Sequence, residues 1–155
     1  MPEKKEGKKE DKKVLLRNRK ARFDYEIDET LEAGLVLVGS EVKSLREGHG
    51  SLVDAYGDVR RGELWLVGAK IDAYPWANQF NHEPMRERKL LAHKQEIRRL
   101  TVKIREKGLT LVPLEVYLKG GRVKVEMGLA RGRKHYEKRA AKREAEAARE
   151  MAERE

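Results

Sequence analysis

The stretch LTLVPLEVYLKGGRVKVEMGLAR, residues 109–131, decides the fold. Gly120-Gly121 is a tight-turn signal between two runs of alternating apolar residues, which is the pattern of an antiparallel hairpin. After the turn, Val123, Val125, Met127 and Leu129 share one phase, and Arg122, Lys124 and Glu126 the other. Before it, Leu109 and Leu111 share a face, and beyond Pro113 the phase passes to Val112, Leu114, Val116 and Leu118. A one-residue slip at a proline predicts a bulge or an edge position.

Working outward, His93 to Lys107 reads as a helix. Ile97, Leu100 and Ile104 repeat at helical spacing, Gly108 closes it, and its other faces carry Lys94, Arg98, Arg99, Lys103, Arg105 and Lys107. Leu52–Val59 and Leu64–Ile71 read as strands around an Arg61-Gly62 turn. Between them and the helix, Tyr74 to Pro84 is the longest loop, and such loops in compact domains are usually functional. Toward the N-terminus, Ala21, Phe23, Tyr25 and Ile27 alternate with Arg22, Asp24 and Glu26, predicting a half-buried strand. Asp28 is a candidate cap for a short helix through Ala33, Leu35–Val38 a short apolar strand, and Gly39-Ser40 a cap for a two-turn helix ending at Gly48, with Val42 and Leu45 inward. The expected architecture is mainly β: a closed antiparallel β-barrel of about six strands, of the oligonucleotide-binding kind, with about three flanking helices. The ordered domain is expected over residues 14–131. Residues 1–13 are expected to be a disordered basic arm, and 132–155 a charged tail that is disordered alone and helical on a polyanion.

The chain has 155 residues, a net charge of +9 and 41% charged residues. The charge is segregated. Residues 1–20 carry +5, 21–84 carry −6, and 85–107 carry +6. Segregated basic charge predicts a polyanion partner held through counterion release. No cysteine is present, so disulfides and thiolate metal sites are excluded. No apolar run approaches a membrane span, and the residues after Met1 lack the apolar stretch of a signal peptide, so the expected location is cytoplasmic, with no membrane partner. His49, His82, His93 and His135 show no metal-ligand spacing. Gly48-His49-Gly50 lacks the Gly-Lys-Ser/Thr ending of a phosphate loop and reads as a turn; Asp54 and Asp58, beside Gly57, read as turn chemistry. With no nucleophile motif either, no catalytic residue, metal or cofactor is expected, and the chain is read as a non-enzymatic binding protein. Aromatics are few, which favours folded RNA recognised through phosphates, 2′-hydroxyls and shape. Duplex DNA is not the expected partner, because no DNA-reading motif is visible.

Several segments then resemble one family. They are Asn18-Arg19-Lys20-Ala21; Tyr25; Glu32-Ala33-Gly34-Leu35; Gly39-Ser40-Glu41-Val42-Lys43-Ser44-Leu45-Arg46; Asn81-His82-Glu83-Pro84 leading into Arg86-Glu87-Arg88-Lys89-Leu90-Leu91; Gly128-Leu129-Ala130-Arg131-Gly132-Arg133-Lys134; and Glu137-Lys138-Arg139. Together, over about residues 14–143, they resemble the SsrA-binding protein (small protein B) family of bacterial trans-translation. The resemblance implies a barrel that binds the tRNA-like domain of transfer-messenger RNA (tmRNA). It implies delivery of alanyl-tmRNA with elongation factor Tu to stalled ribosomes, and a tail that enters the small-subunit decoding region and empty mRNA path. By position it assigns Asn18, Glu32 and Leu91 to the tmRNA surface, with Arg19, Lys20, Arg88 and Lys89 as phosphate contacts. It assigns Gly132, Arg133, Lys134, His135, Tyr136, Lys138 and Arg139 to the functional start of the tail. Two rivals remain open: a generic structured-RNA or ribosome-binding barrel, and an interaction protein whose charge is only solubilising.

Overall fold

In the computed structural model the described residues are 12–77, 81–132, 143–144 and 146–151. The elements are β1 (Lys13–Arg17), α1 (Arg19–Asp24), β2 (Tyr25–Leu35), α2 (Gly39–Arg46), β3 (Gly50–Ser51), β4 (Tyr56–Arg60), β5 (Glu63–Val67), β6 (Lys70–Ile71), β7 (Arg88–Leu91), α3 (Lys94–Lys107), β8 (Thr110–Lys119) and β9 (Arg122–Gly132). Six strands close a ring in the order β8, β4, β5, β7, β2, β9 and back to β8, every pair antiparallel. This is the closed, mainly β arrangement expected from the sequence. β1 adds to β8 outside the ring, and β3 pairs with β6 in a two-stranded ribbon.

The glycine turns form as read. Arg61 and Gly62 both take positive φ between β4 and β5, as do Gly120 and Gly121 between β8 and β9, the backbone that twisted two-residue hairpins require. α3 starts one residue after His93, buries Ile97 and Leu100, and stops at left-handed Gly108. The bulge expected near Pro113 is present, between Pro113 and Glu115 of the β8–β9 ladder. Its effect differs from the expected one. Leu111 and Val116 face the ring interior, whereas Val112 and Leu114 pack in a second cluster with Ala21 and Ala130. Both faces of β8 are therefore buried, because α1 covers its outer side. Val125, Met127 and Leu129 fill the interior as expected.

Residues 21–38 depart from the sequence reading. Ala21–Asp24 is helical, not extended. Asn18 caps the turn, its Oδ1 accepting the Ala21 N–H at 3.2 Å, and Ala21 and Tyr25, four apart, both serve the second cluster. The apparent period of two over these few residues also satisfies a helix. The expected helix from Asp28 to Ala33 is instead the middle of β2, which pairs with β9 from Tyr25↔Gly132 to Gly34↔Lys124 and buries Leu31, Ala33 and Leu35. That long-range ladder outweighs the local cap signal of Asp28. Leu35 ends the strand, and Val38 occupies the N-cap of α2, with its N–H bonded to Glu41. α2 buries Leu45, while Val42 is only half-buried.

Gly57 marks the only recorded pairing of β4 with β8, opposite Leu111. A Cβ there would lie 2.7 Å from Leu111 Cδ2 and 2.9 Å from Met127 Cε, both deep in the core. Gly57→Ala is therefore expected to destabilise by about 1–3 kcal/mol through overpacking. A lowered urea midpoint with unchanged slope is the check; an unchanged midpoint would show that the seam has slack.

Candidate nucleic-acid interface

The residues assigned by resemblance fall into three environments. Asn18 is 6% exposed and its side chain is spent on the fold. Besides capping α1, its Nδ2 donates to Pro113 O at 2.9 Å and to Leu52 O at 3.3 Å. Its direct product is the placement of α1, whose first residues, Arg19 and Lys20, are exposed. Lys20 and Asn18 line a pocket of about 310 Å³ together with Tyr25, Asp54 and Tyr56.

Glu32 and Leu91 come together in a second pocket, of about 470 Å³, lined also by Gly34, His93, Glu96 and Lys124. β7 and β2 bring them there, since Leu91 pairs with Gly34 and Leu90 with Leu35. Leu91 points outward and is 56% exposed, while its neighbour Leu90 is core. Exposing a leucine beside a carboxylate suits a ligand with both an apolar face and hydrogen-bond donors. Glu32 accepts from the Tyr117 hydroxyl and, at 3.2 Å, from Lys119 Nζ, both at Oε2. Burial alone would raise its pKa, but these two bonds hold it below the usual carboxylate value, so Glu32 is an anion at neutral pH. Burial and the same bond push Tyr117 well above an ordinary phenol, so it stays a donor. The sequence reading missed Tyr117 and Lys119. They reach Glu32 across β9, which lies between β8 and β2 and pairs with both, a register no local pattern announces.

Arg88 is a correction. It is 0% exposed, with Nε on Glu41 Oε2 at 2.7 Å, Nη1 on Ala69 O at 2.7 Å and Nη2 on Pro84 O at 3.0 Å. A guanidinium with this set of internal acceptors is a structural cation, not a phosphate contact. Lys89, its neighbour, is half-exposed and bridges to Glu63 at 2.6 Å. On α3, Arg99 and Lys103 are both held by Glu29, while Lys94, Arg98 and Arg105 border the clefts against the β4–β5 hairpin.

Of the tail residues, Gly132 closes β9 and is exposed. Arg133, Lys134, His135, Tyr136, Lys138 and Arg139 lie outside the described residues, as do residues 1–11 of the expected arm. Lys12 and Lys13 belong to the ordered domain, Lys12 bridging to Glu115 at 2.6 Å and Lys13 pairing with Leu118. Residues 143–144 and 146–151 are helical and exposed. No cluster that could hold a metal occurs among the described residues, and none of their helices is long and apolar enough to cross a membrane.

A closed ring of six antiparallel strands, with exposed cations at the start of α1 and an outward pocket joining a carboxylate to an exposed leucine, is a β-ring binding-domain architecture. The chain belongs to the SmpB protein family, whose model matches residues 15–155. Similar curated proteins are each named SsrA-binding protein. That of Desulforudis audaxviator is 57% identical over 140 residues, covering 89% of this chain and 92% of the relative. That of Acetivibrio thermocellus is 54% identical over 139 residues, covering 88% and 90%. That of Thermobifida fusca is 51% identical over 148 residues, covering 96% and 92%. A solved chain from work on tmRNA–SmpB at the center of the bacterial ribosome superposes with a TM-score of 0.67 at 49% identity, covering 79% of this chain and 87% of that one.

Proposed function

We propose that this chain is a non-enzymatic RNA-binding protein of trans-translation. It binds the tRNA-like domain of tmRNA and brings it to ribosomes stalled without a stop codon. The observation that carries the reading is the pocket in which family membership and geometry meet: Glu32, ionised, beside an outward Leu91. Arg19 and Lys20 at the start of α1, and Lys89 once released from Glu63, supply phosphate contacts; Asn18 acts by holding α1. Glu32 accepts from 2′-hydroxyls or exocyclic amines, and Leu91 packs on an exposed base. The tail from Gly132, with Arg133, Lys134, His135, Tyr136, Lys138 and Arg139, engages the small-subunit decoding region and mRNA path and becomes helical there. Elongation factor Tu is a partner through alanyl-tmRNA, and the place of work is the cytoplasm.

Competition binding tests this reading. The tRNA-like fragment of tmRNA should bind far more tightly than bulk tRNA at moderate salt. Leu91→Ala and Glu32→Gln should each weaken it about tenfold, or ~1.4 kcal/mol. Arg19→Ala with Lys20→Ala should instead flatten the dependence on salt, by about 0.7–0.9 per lost contact. Equal affinity for both RNAs would favour a generic structured-RNA binder.

A further inference from the structure

Trp76 is 79% exposed, the most exposed large apolar side chain among the described residues. It is also held in place. The Ala77 N–H donates to Tyr74 O at 3.1 Å, closing a turn with Pro75 and Trp76 at its centre. The amide of Asn81 clasps both backbone groups of Tyr74, its Oδ1 accepting from Tyr74 N at 3.0 Å and its Nδ2 donating to Tyr74 O at 2.7 Å. The next residue, His82, is buried, its ring nitrogens 2.8 Å from Ser40 Oγ on α2 and 2.8 Å from Ile71 O. Arg86 then bonds Glu41, also on α2. The indole therefore stands on a turn tied at several points to α2.

An indole held out in water forgoes the burial of up to about 150–250 Å² of apolar surface. Nothing in the turn needs a tryptophan, because Pro75 and the Asn81 clasp already set the backbone. Cations lie on the helix to which this turn is tied. Lys43 on α2 sits 5.8 Å from the Tyr74 ring, and Arg46, one turn further along α2, is exposed. Neither is engaged in an ion pair among the described residues. An exposed aromatic ring near cations outside ion pairs is the pattern by which proteins hold unstacked nucleotides, the ring taking the base and the cations the backbone. Along the chain, both segments connect to the elements of the pocket described above. β2, which carries Glu32, runs within four residues into α2, and the segment that carries Trp76 runs into β7 and Leu91.

We propose that Trp76 is a stacking platform for an unpaired base of the bound RNA, with Lys43 and Arg46 holding the adjacent phosphates. This rests on the reading of the chain as a tmRNA-binding protein, and it revises one sequence expectation: recognition is not left to phosphates, 2′-hydroxyls and shape alone.

The test uses the full chain and the tRNA-like fragment of tmRNA. Affinity is measured by gel mobility and Trp76 is followed by its emission, isolated as the difference between wild type and Trp76→Phe, since Trp65 is the only other indole. Quenching of the Trp76 component at saturation is expected. Trp76→Ala and Trp76→Leu should both weaken binding roughly 10–100-fold, the range for losing one stacked base, while Trp76→Phe should retain most of it. Lys43→Ala with Arg46→Ala should lower the salt dependence and spare the quenching. An unchanged Trp76 emission under saturating RNA, with Trp76→Ala binding as wild type, overturns the platform. So does full affinity in Trp76→Leu with loss only in Trp76→Ala, because apolar area rather than stacking would then be what matters. Quenching by ribosomes but not by the fragment would assign Trp76 to another partner and likewise overturn it. Failure of the wild type to bind the fragment at all would instead sink the underlying reading, and gel mobility alone reports that.

Discussion

Arg88→Ala is expected to lower stability by about 3–5 kcal/mol, the cost of breaking a buried ion pair by removing one partner. Glu41, fully buried on α2, would lose its one fully buried cationic partner and keep only the part-exposed Arg86. Its Oε1 also accepts the Val38 N–H at 2.9 Å, and Arg86 bonds both of its oxygens. Three backbone carbonyls, at Ala69, Glu83 and Pro84, would lose their donor as well. For a chain of this size the loss corresponds to a drop in Tm of roughly 10–15 °C. Replacing both charges, Glu41→Leu with Arg88→Met, should be milder, because it leaves no fully buried ion unpaired and Arg86, the one cation that loses its partner, is part-exposed. Thermal unfolding of the three proteins decides the matter, and a single mutant melting within a few degrees of wild type would refute the account. The same hub sets acid sensitivity. Burial alone would raise the Glu41 pKa, but bonds from Arg86, Val38 and Arg88 hold it below the usual carboxylate value. The stabilisation is therefore complete above the ordinary glutamate pKa, near 4.3, and is lost as pH falls toward the lower folded value.

The second large effect belongs to the tail. Ending the chain at Arg131 should leave affinity for the tRNA-like fragment within about twofold of wild type, well under the tenfold that ~1.4 kcal/mol represents. Tagging on stalled ribosomes should fall to background. The reason is where the cut falls. Only the terminal Tyr25↔Gly132 pair of the β2–β9 ladder is lost, so the ring and the Glu32–Leu91 pocket are untouched. The described tail residues, Met151 among them, are exposed and add nothing to the core. A parallel collapse of affinity would mean that barrel and tail do not divide the work as proposed.

What was legible in the sequence was what neighbours decide. Arg61-Gly62 and Gly120-Gly121 announced their hairpins because positive φ is a local demand, and Ile97, Leu100 and Ile104 announced α3 because a helix is periodic along its own chain. Pro113 announced a bulge but not which face lay under what, since α1 covering Val112 and Leu114 is a tertiary fact. Residues 21–35 misled for the same reason. Ala21 and Tyr25 fit periods of two and of four, and the partner that settles Asp28–Ala33 as strand lies about a hundred residues away in β9. The site divided likewise. Glu32 and Leu91, proposed by resemblance, line one pocket, but Arg88 looked like any surface arginine until the core closed over it.

That long-range pairing also governs when the molecule can exist. β1 pairs with β8, and β2 with both β7 and β9. Strands made first must wait for strands made last, and loop closure over such separations makes folding slow compared with helical proteins. During its own synthesis the ring cannot shut until β9 is available to pair with both β2 and β8. A message broken anywhere before β9 yields no closed ring, so the dose of folded protein depends on translation running through that strand.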